Sequence, residues 1–122
     1  MTKTILITGS TDGIGLLTAK TLTSAGHRVL LHGRNSAKLE TAVTEVGGDT
    51  ASFLADLSSL NAVSTMADEV LSRFDRIDVL INNAAILKQA TIEETSLELW
   101  EQVQRVNSTG YFLGCHYGYL AM

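Results

Sequence analysis

The chain contains no proline and a single cysteine, Cys115. The absence of proline decides nothing by itself. One thiol cannot close an internal disulfide, which excludes a small secreted scaffold held together by cross-links. Long apolar runs are also missing. The N-terminal run Ile5-Leu6-Ile7 is far shorter than a signal-peptide core and leads into glycines rather than a cleavage site. No stretch approaches the ~20 apolar residues of a membrane-spanning helix. The expected compartment is therefore the cytoplasm, with no membrane partner. Nor is there an excess of basic residues: 9 Lys and Arg against 13 Asp and Glu give a net charge of −4. A sequence-independent binder of nucleic acid needs the opposite balance. Repeats, low-complexity tracts and linkers are absent too. The 122 residues, 45% apolar and 18% charged, read as one globular domain spanning 1–122.

What is present is an alternation of short apolar runs with longer stretches of helical period. Strands are expected at Thr4–Ile7, Arg28–Leu31, Ala51–Ala55 and Asp78–Ile81. Helices are expected at Ile14–Ser24, closed by Gly26, and at Ser36–Val46, closed by Gly47-Gly48. Leu60, Val63, Ala67, Val70, Leu71 and Phe74 recur at helical spacing and mark a third helix. Thr95 followed by Glu98 fits a capping box, from which a last helix would run through Trp100, Val103 and Asn107 to the end. Strands separated by helices at this spacing imply right-handed βαβ units. The fold class is α/β, a Rossmann-like doubly wound parallel sheet of about four strands in the order 3-2-1-4.

Thr8-Gly9-Ser10-Thr11-Asp12-Gly13-Ile14-Gly15 joins the first strand to the first helix. Gly9 permits a tight turn, Gly13 lets the backbone approach a pyrophosphate, and Gly15 lets the helix pack closely on the strand. The free amides at the helix start then hold an anion. The spacing is not that of a P-loop, because no Gly-Lys-Ser/Thr follows. A glycine-rich turn without a ligand is the plainer alternative.

On Thr8, Gly9, Gly13, Ile14 and Gly15, which match the pattern T-G-x-x-x-G-I-G, the chain resembles the short-chain dehydrogenase/reductase family. Further landmarks follow in the family's order, so the resemblance extends over essentially the whole chain. It implies an oxidoreductase that moves a hydride between a nicotinamide dinucleotide and a small carbonyl or alcohol substrate. Asp56-Leu57, after the third strand, matches the family position that accepts a hydrogen bond from adenine. Asn82-Asn83-Ala84-Ala85, after the fourth, matches the family's Asn-Asn-Ala-Gly, with Asn83, Ala84 and Ala85 on the cofactor side. Ala85 stands where the family usually has glycine, which puts a methyl group beside the nicotinamide ribose.

The choice of dinucleotide turns on the end of the second strand. An NAD site places a carboxylate there for the ribose 2′-hydroxyl. This chain has His32-Gly33-Arg34-Asn35-Ser36 and no acid before Glu40. A guanidinium binds a 2′-phosphate that a carboxylate would repel, so Arg34 favours NADP over NAD. Arg34 as a plain solvated loop residue is the alternative.

In the family an asparagine of the last helix binds a water that relays protons, and Asn107 matches it as the one candidate catalytic residue. Gly110, Gly114 and Gly118 recur at four-residue spacing, which suggests close packing against another backbone. Cys115 and His116 have no spaced partners for a metal site, so no metal is expected. The family's catalytic Tyr-x-x-x-Lys does not occur: the tyrosines are 111, 117 and 119, and the last lysine is Lys88. The serine strand that precedes that signature is not reached by residue 122 either. The reading is thus an incomplete, cofactor-holding half of an NADP-dependent short-chain oxidoreductase, inactive alone. A homo-oligomer through the last helix is open. The alternative is a non-catalytic dinucleotide-binding or assembly module that docks partners through an exposed fourth strand. A response-regulator or flavodoxin-like protein fits poorly, since no acidic cluster follows the first strand.

Overall fold

Every strand of the chain pairs in one direction. The computed structural model describes residues 1–122 and contains β1 (Thr4–Ile7), β2 (Arg28–Gly33), β3 (Thr50–Leu54) and β4 (Val79–Ile81). They form one parallel sheet in the order β3-β2-β1-β4, the order expected from the alternation of elements. Leu6 of β1 lies between Leu30 of β2 and Leu80 of β4. Side chains alternate across the sheet, and both faces are covered, so the strands read as uninterrupted apolar runs.

Ile5, Ile7, Val29 and Leu31 meet one layer of helices through Ala19 of α1 (Gly13–Ser24) and Leu39 and Ala42 of α2 (Ser36–Val46). Leu6, Leu30 and Phe53 face the other layer, meeting Met66 and Val70 of α3 (Leu60–Arg73) and Ala121 of α5 (Tyr111–Ala121). Asp12, Asn35 and Ser59 cap α1, α2 and α3 with side-chain oxygens. Each such cap contributes about 1 kcal/mol relative to alanine.

Several boundaries differ from the sequence reading. β2 runs on to Gly33 because its ladder with β3 continues to the pair Gly33 and Leu54. β3 begins one residue earlier, at Thr50, and Ala55 lies beyond its end. Asp78 stays outside β4, although its amide donates to Thr4 O at 2.8 Å and its carboxylate accepts from Thr4 N at 2.8 Å. Phe74 ends α3 as its cap and packs edge-on to Phe53, with ring centroids 6.3 Å apart.

The last helical region departs most. The expected Thr95 and Glu98 capping box does not form. Ser96 caps α4 (Leu97–Gln104), accepting from Leu99 N at 3.1 Å, while the Thr95 hydroxyl donates back to Thr91 O. The helix then widens into a π-helical segment, Arg105–Gly110, before continuing as α5. π-segments of this kind concentrate at functional sites, and this one contains Asn107. The glycine ridge also meets something different from a neighbouring backbone. Gly114 faces the Asn82 side chain and Gly118 faces the Leu80 side chain. Only Gly110 approaches backbone of another element, near Leu57 O.

Candidate functional site

Parallel strands place all four C-terminal ends on one edge of the sheet, and the loops that leave those ends meet there. Between β1 and β4 the connections leave to opposite faces, which opens a crevice at the switch point. A cleft of about 370 Å³ lies there.

Of the residues singled out in the sequence, Gly9, Thr11, Asp12 and Gly13 border the cleft from the glycine loop. Arg34 borders it from the end of β2, and Asp56 and Leu57 from the end of β3. Asn83, Ala84 and Ala85 border it from the end of β4. Five others do not line it. Thr8 is buried, and its hydroxyl accepts from the amides of Asn83 and Ala84, both at 3.0 Å. Ser10 is fully buried and bonds to Ile7 O and to the backbone of His32. Ile14 is exposed. Gly15 lies against Gly9 O and the Asn83 side chain. Asn107 pairs with Ile86, accepting from its amide and donating to its carbonyl, both at 2.8 Å.

The loop is built as an anion cradle. Gly9 and Gly13 both have positive φ, at 63° and 55°, a region that costs other residues energy. A side chain at Gly9 would run into Ala84, so the turn and the β4 end fit together only with glycine there. Gly13 faces open space. The Asp12 carboxylate accepts from Gly13 N at 2.8 Å, and Leu16 N bonds to Asp12 O. The intervening amides of Ile14 and Gly15 have no acceptor within the protein. Two free amides at the start of a helix suit a phosphate. The Asp12 carboxylate beside them opposes it.

At the other end of the cleft, two charges of opposite sign face each other. Asp56 Oδ1 accepts from the hydroxyl and the amide of Ser58, at 2.7 and 2.9 Å. These bonds hold the Asp56 carboxyl below its ordinary value, and the positive charge of Arg34 adds to the effect. Asp56 therefore stays an ionised acceptor and does not cap α3, a task done by Ser59. The cleft can thus take a phosphate at the loop, a second anionic group at Arg34 and a donor group at Asp56.

His32, Ile86 and Val106 also line the cleft, although no motif in the sequence marks them as part of it. For His32 a signal existed, since a polar ring in an otherwise apolar strand needs partners for both nitrogens.

A family model described as short chain dehydrogenase matches residues 3–122. The chain belongs to the short-chain dehydrogenase family. Among curated relatives of this chain, D-threitol dehydrogenase of Mycolicibacterium smegmatis is 34% identical over 116 residues, covering 93% of this chain and 45% of that protein. D-beta-hydroxybutyrate dehydrogenase of Rhizobium meliloti is 36% identical over 117 residues, covering 92% of this chain and 45% of its own length. A solved structure of a metagenomic short-chain oxidoreductase in complex with NADP superimposes with a TM-score of 0.91 at 31% identity, covering 98% of this chain and 56% of that one. The chain thus spans about half the length of the relatives it matches. No helix is long and apolar enough to cross a membrane.

Proposed function

We propose that this short-chain dehydrogenase chain holds NADP(H) for hydride transfer to or from a small carbonyl or alcohol, in the cytoplasm and without a nucleic-acid partner. The observation that carries the choice of NADP is Arg34, on the cleft edge at the end of β2 with no carboxylate at that strand end. The diphosphate would lie at the amides of Ile14 and Gly15, the 2′-phosphate at Arg34 and the adenine amino group at Asp56. Resemblance to a solved NADP complex supports the same reading. Bound, the dinucleotide supplies the hydride, and the protein supplies placement and charge.

Asn107 has the water-relay role that the family resemblance implies, together with a second one. By pairing with both backbone groups of Ile86, it fixes the wall that follows β4. Its carboxamide retains one donor and one lone pair beyond those bonds, enough to hold a water. Arg34→Asp tests the cofactor assignment. The affinity for NADP should fall at least ~10-fold relative to NAD, the scale of one lost charge-assisted pair. An unchanged ratio rejects NADP.

A further inference from the structure

His32 is a histidine inside an apolar strand, and it is 3% exposed. Its ring spans the base of the cleft. Nδ1 lies 2.9 Å from the amide of Gly9, the first glycine of the loop, and accepts from it. Nε2 lies 2.9 Å from the carbonyl of Ala55, just beyond β3, and donates to it. One neutral tautomer, with its proton on Nε2, satisfies both bonds, and a charged ring cannot. A proton on Nδ1 would point at the Gly9 N–H, replacing a hydrogen bond with a clash of two donors. The backbone of His32 adds to the tie, since its carbonyl accepts from Ser10 N and its amide donates to Ser10 Oγ, both at 2.9 Å.

We propose that His32 is a positioning residue for the dinucleotide cleft, its neutral ring clamping Gly9 to Ala55 and its protonation releasing the glycine loop. The clamp stands on geometry alone; its consequence for binding rests on the dinucleotide reading above. The charged side chains around the cleft are Asp12 on the loop, Arg34 after β2 and Asp56 after β3. None of them is bonded to either ring nitrogen. β1 contributes no charged residue. Burial then governs the ring and pushes its pKa below 6.5, partly offset by the bond to Ala55. The sign follows. As pH falls below 6.5 the unfolded chain takes up a proton that the clamped ring refuses, so the clamped state loses ground progressively down to the lowered folded value.

The ring can be tested without a ligand. In the full chain, nitrogen NMR should place the His32 proton on Nε2 near neutral pH, and the ring should titrate below 6.5. The Gly9 amide resonance should move with the same midpoint. A proton on Nδ1, or a Gly9 amide indifferent to that titration, overturns the clamp. NADP titration into three chains then tests the consequence. His32→Asn keeps an acceptor near the Nδ1 position and cannot titrate. His32→Gln can keep a donor toward Ala55 but loses the acceptor for Gly9. At about pH 7.5 the Asn chain should bind within roughly threefold of the parent and the Gln chain roughly tenfold more weakly, the scale of one unmade hydrogen bond. As pH falls from about 7.5 through the midpoint that the ring spectrum gives for His32, the parent should lose more affinity than the Asn chain, the 2′-phosphate titrating equally in both. Equal losses, or Gln binding as well as Asn, overturn the positioning role. Absence of binding by all three overturns the dinucleotide reading, and the ring spectrum still decides the clamp.

Discussion

The hydroxyl of Thr8, at the end of β1, accepts the backbone amide of Asn83, at the end of β4, across 3.0 Å. It accepts the Ala84 amide at the same distance, so one side chain satisfies two donors where the β4 strand turns away. The Asn83 carboxamide returns the tie, donating to Thr8 O and Gly9 O at 3.1 and 3.0 Å. Both sides of the switch-point crevice are thereby held to each other before any ligand arrives.

Thr8→Val keeps the shape of this residue and removes its acceptor. Two part-buried amides are left without a partner, and the fold should lose about 2 kcal/mol. Urea unfolding of the two chains measures the difference. Thr8→Ser, which restores the oxygen, should recover most of it. A Val chain as stable as the parent would mean that water replaces the hydroxyl without cost.

Asp12 stands in two roles of opposite sign. As the cap of α1 its carboxylate holds Gly13 N, and its charge suits the positive helix end. Beside a bound diphosphate the same charge repels. Asp12→Asn keeps a good cap, so stability should fall by only about 0.5 kcal/mol. Dinucleotide affinity should rise roughly threefold at low salt, and the gain should shrink as salt screens the repulsion. Calorimetric titration at two ionic strengths reads both effects. Weaker binding at both would show that the carboxylate serves the ligand directly.

These contrasts mark what could and could not be read from the chain. The sheet order was legible because helix-separated apolar runs permit few right-handed arrangements, and Gly9, Gly13, Arg34, Asp56 and Asn83 all line one cleft. The tasks of Thr8 and Ser10 were not legible. Both sit within the glycine motif, yet their hydroxyls face inward to the backbone of β4 and β2, a direction that no spacing reveals. His32 stands out as a polar ring in an apolar strand, but its partners were not legible, because they lie 23 residues away in each direction along the chain. The π-segment at Asn107 was invisible because the helical period runs through it, and the pairing with Ile86 depends on the path after β4.

Acid should weaken the fold through Asp78. Its carboxylate accepts from Thr4 N and from Arg76 Nη2, at 2.8 and 2.7 Å. The bond to the Thr4 amide is the main cause of a pKa held below 3.8. A depressed carboxyl contributes stability that is complete above 3.8 and is lost as pH falls through the lowered folded value. Asp78→Asn should therefore flatten the acid limb of stability against pH while lowering stability at neutral pH. Thermal unfolding at several pH values checks this, and parallel acid limbs in the two chains would assign the acid sensitivity elsewhere.

Two glycines separate close packing that can yield from packing that cannot. A methyl group at Gly118 would meet Leu80 Cδ2 at 2.6 Å, the far end of a side chain that can turn aside. Alanine also gains about 1 kcal/mol over glycine inside a helix. Gly118→Ala should leave stability near that of the parent. A methyl at Gly15 would meet Gly9 O and, at 2.6 Å, Asn83 Nδ2. The first is backbone of the loop, and the second is held by the carbonyls of Thr8 and Gly9. Neither can move without opening the crevice. Gly15→Ala should cost about 2 kcal/mol, in the range of overpacking a tight site, and should abolish dinucleotide binding in chains that remain folded. Urea unfolding and calorimetric titration of the two variants side by side make the comparison. Equal stability would refute the view that the loop, the first helix and the β4 end form one rigid unit.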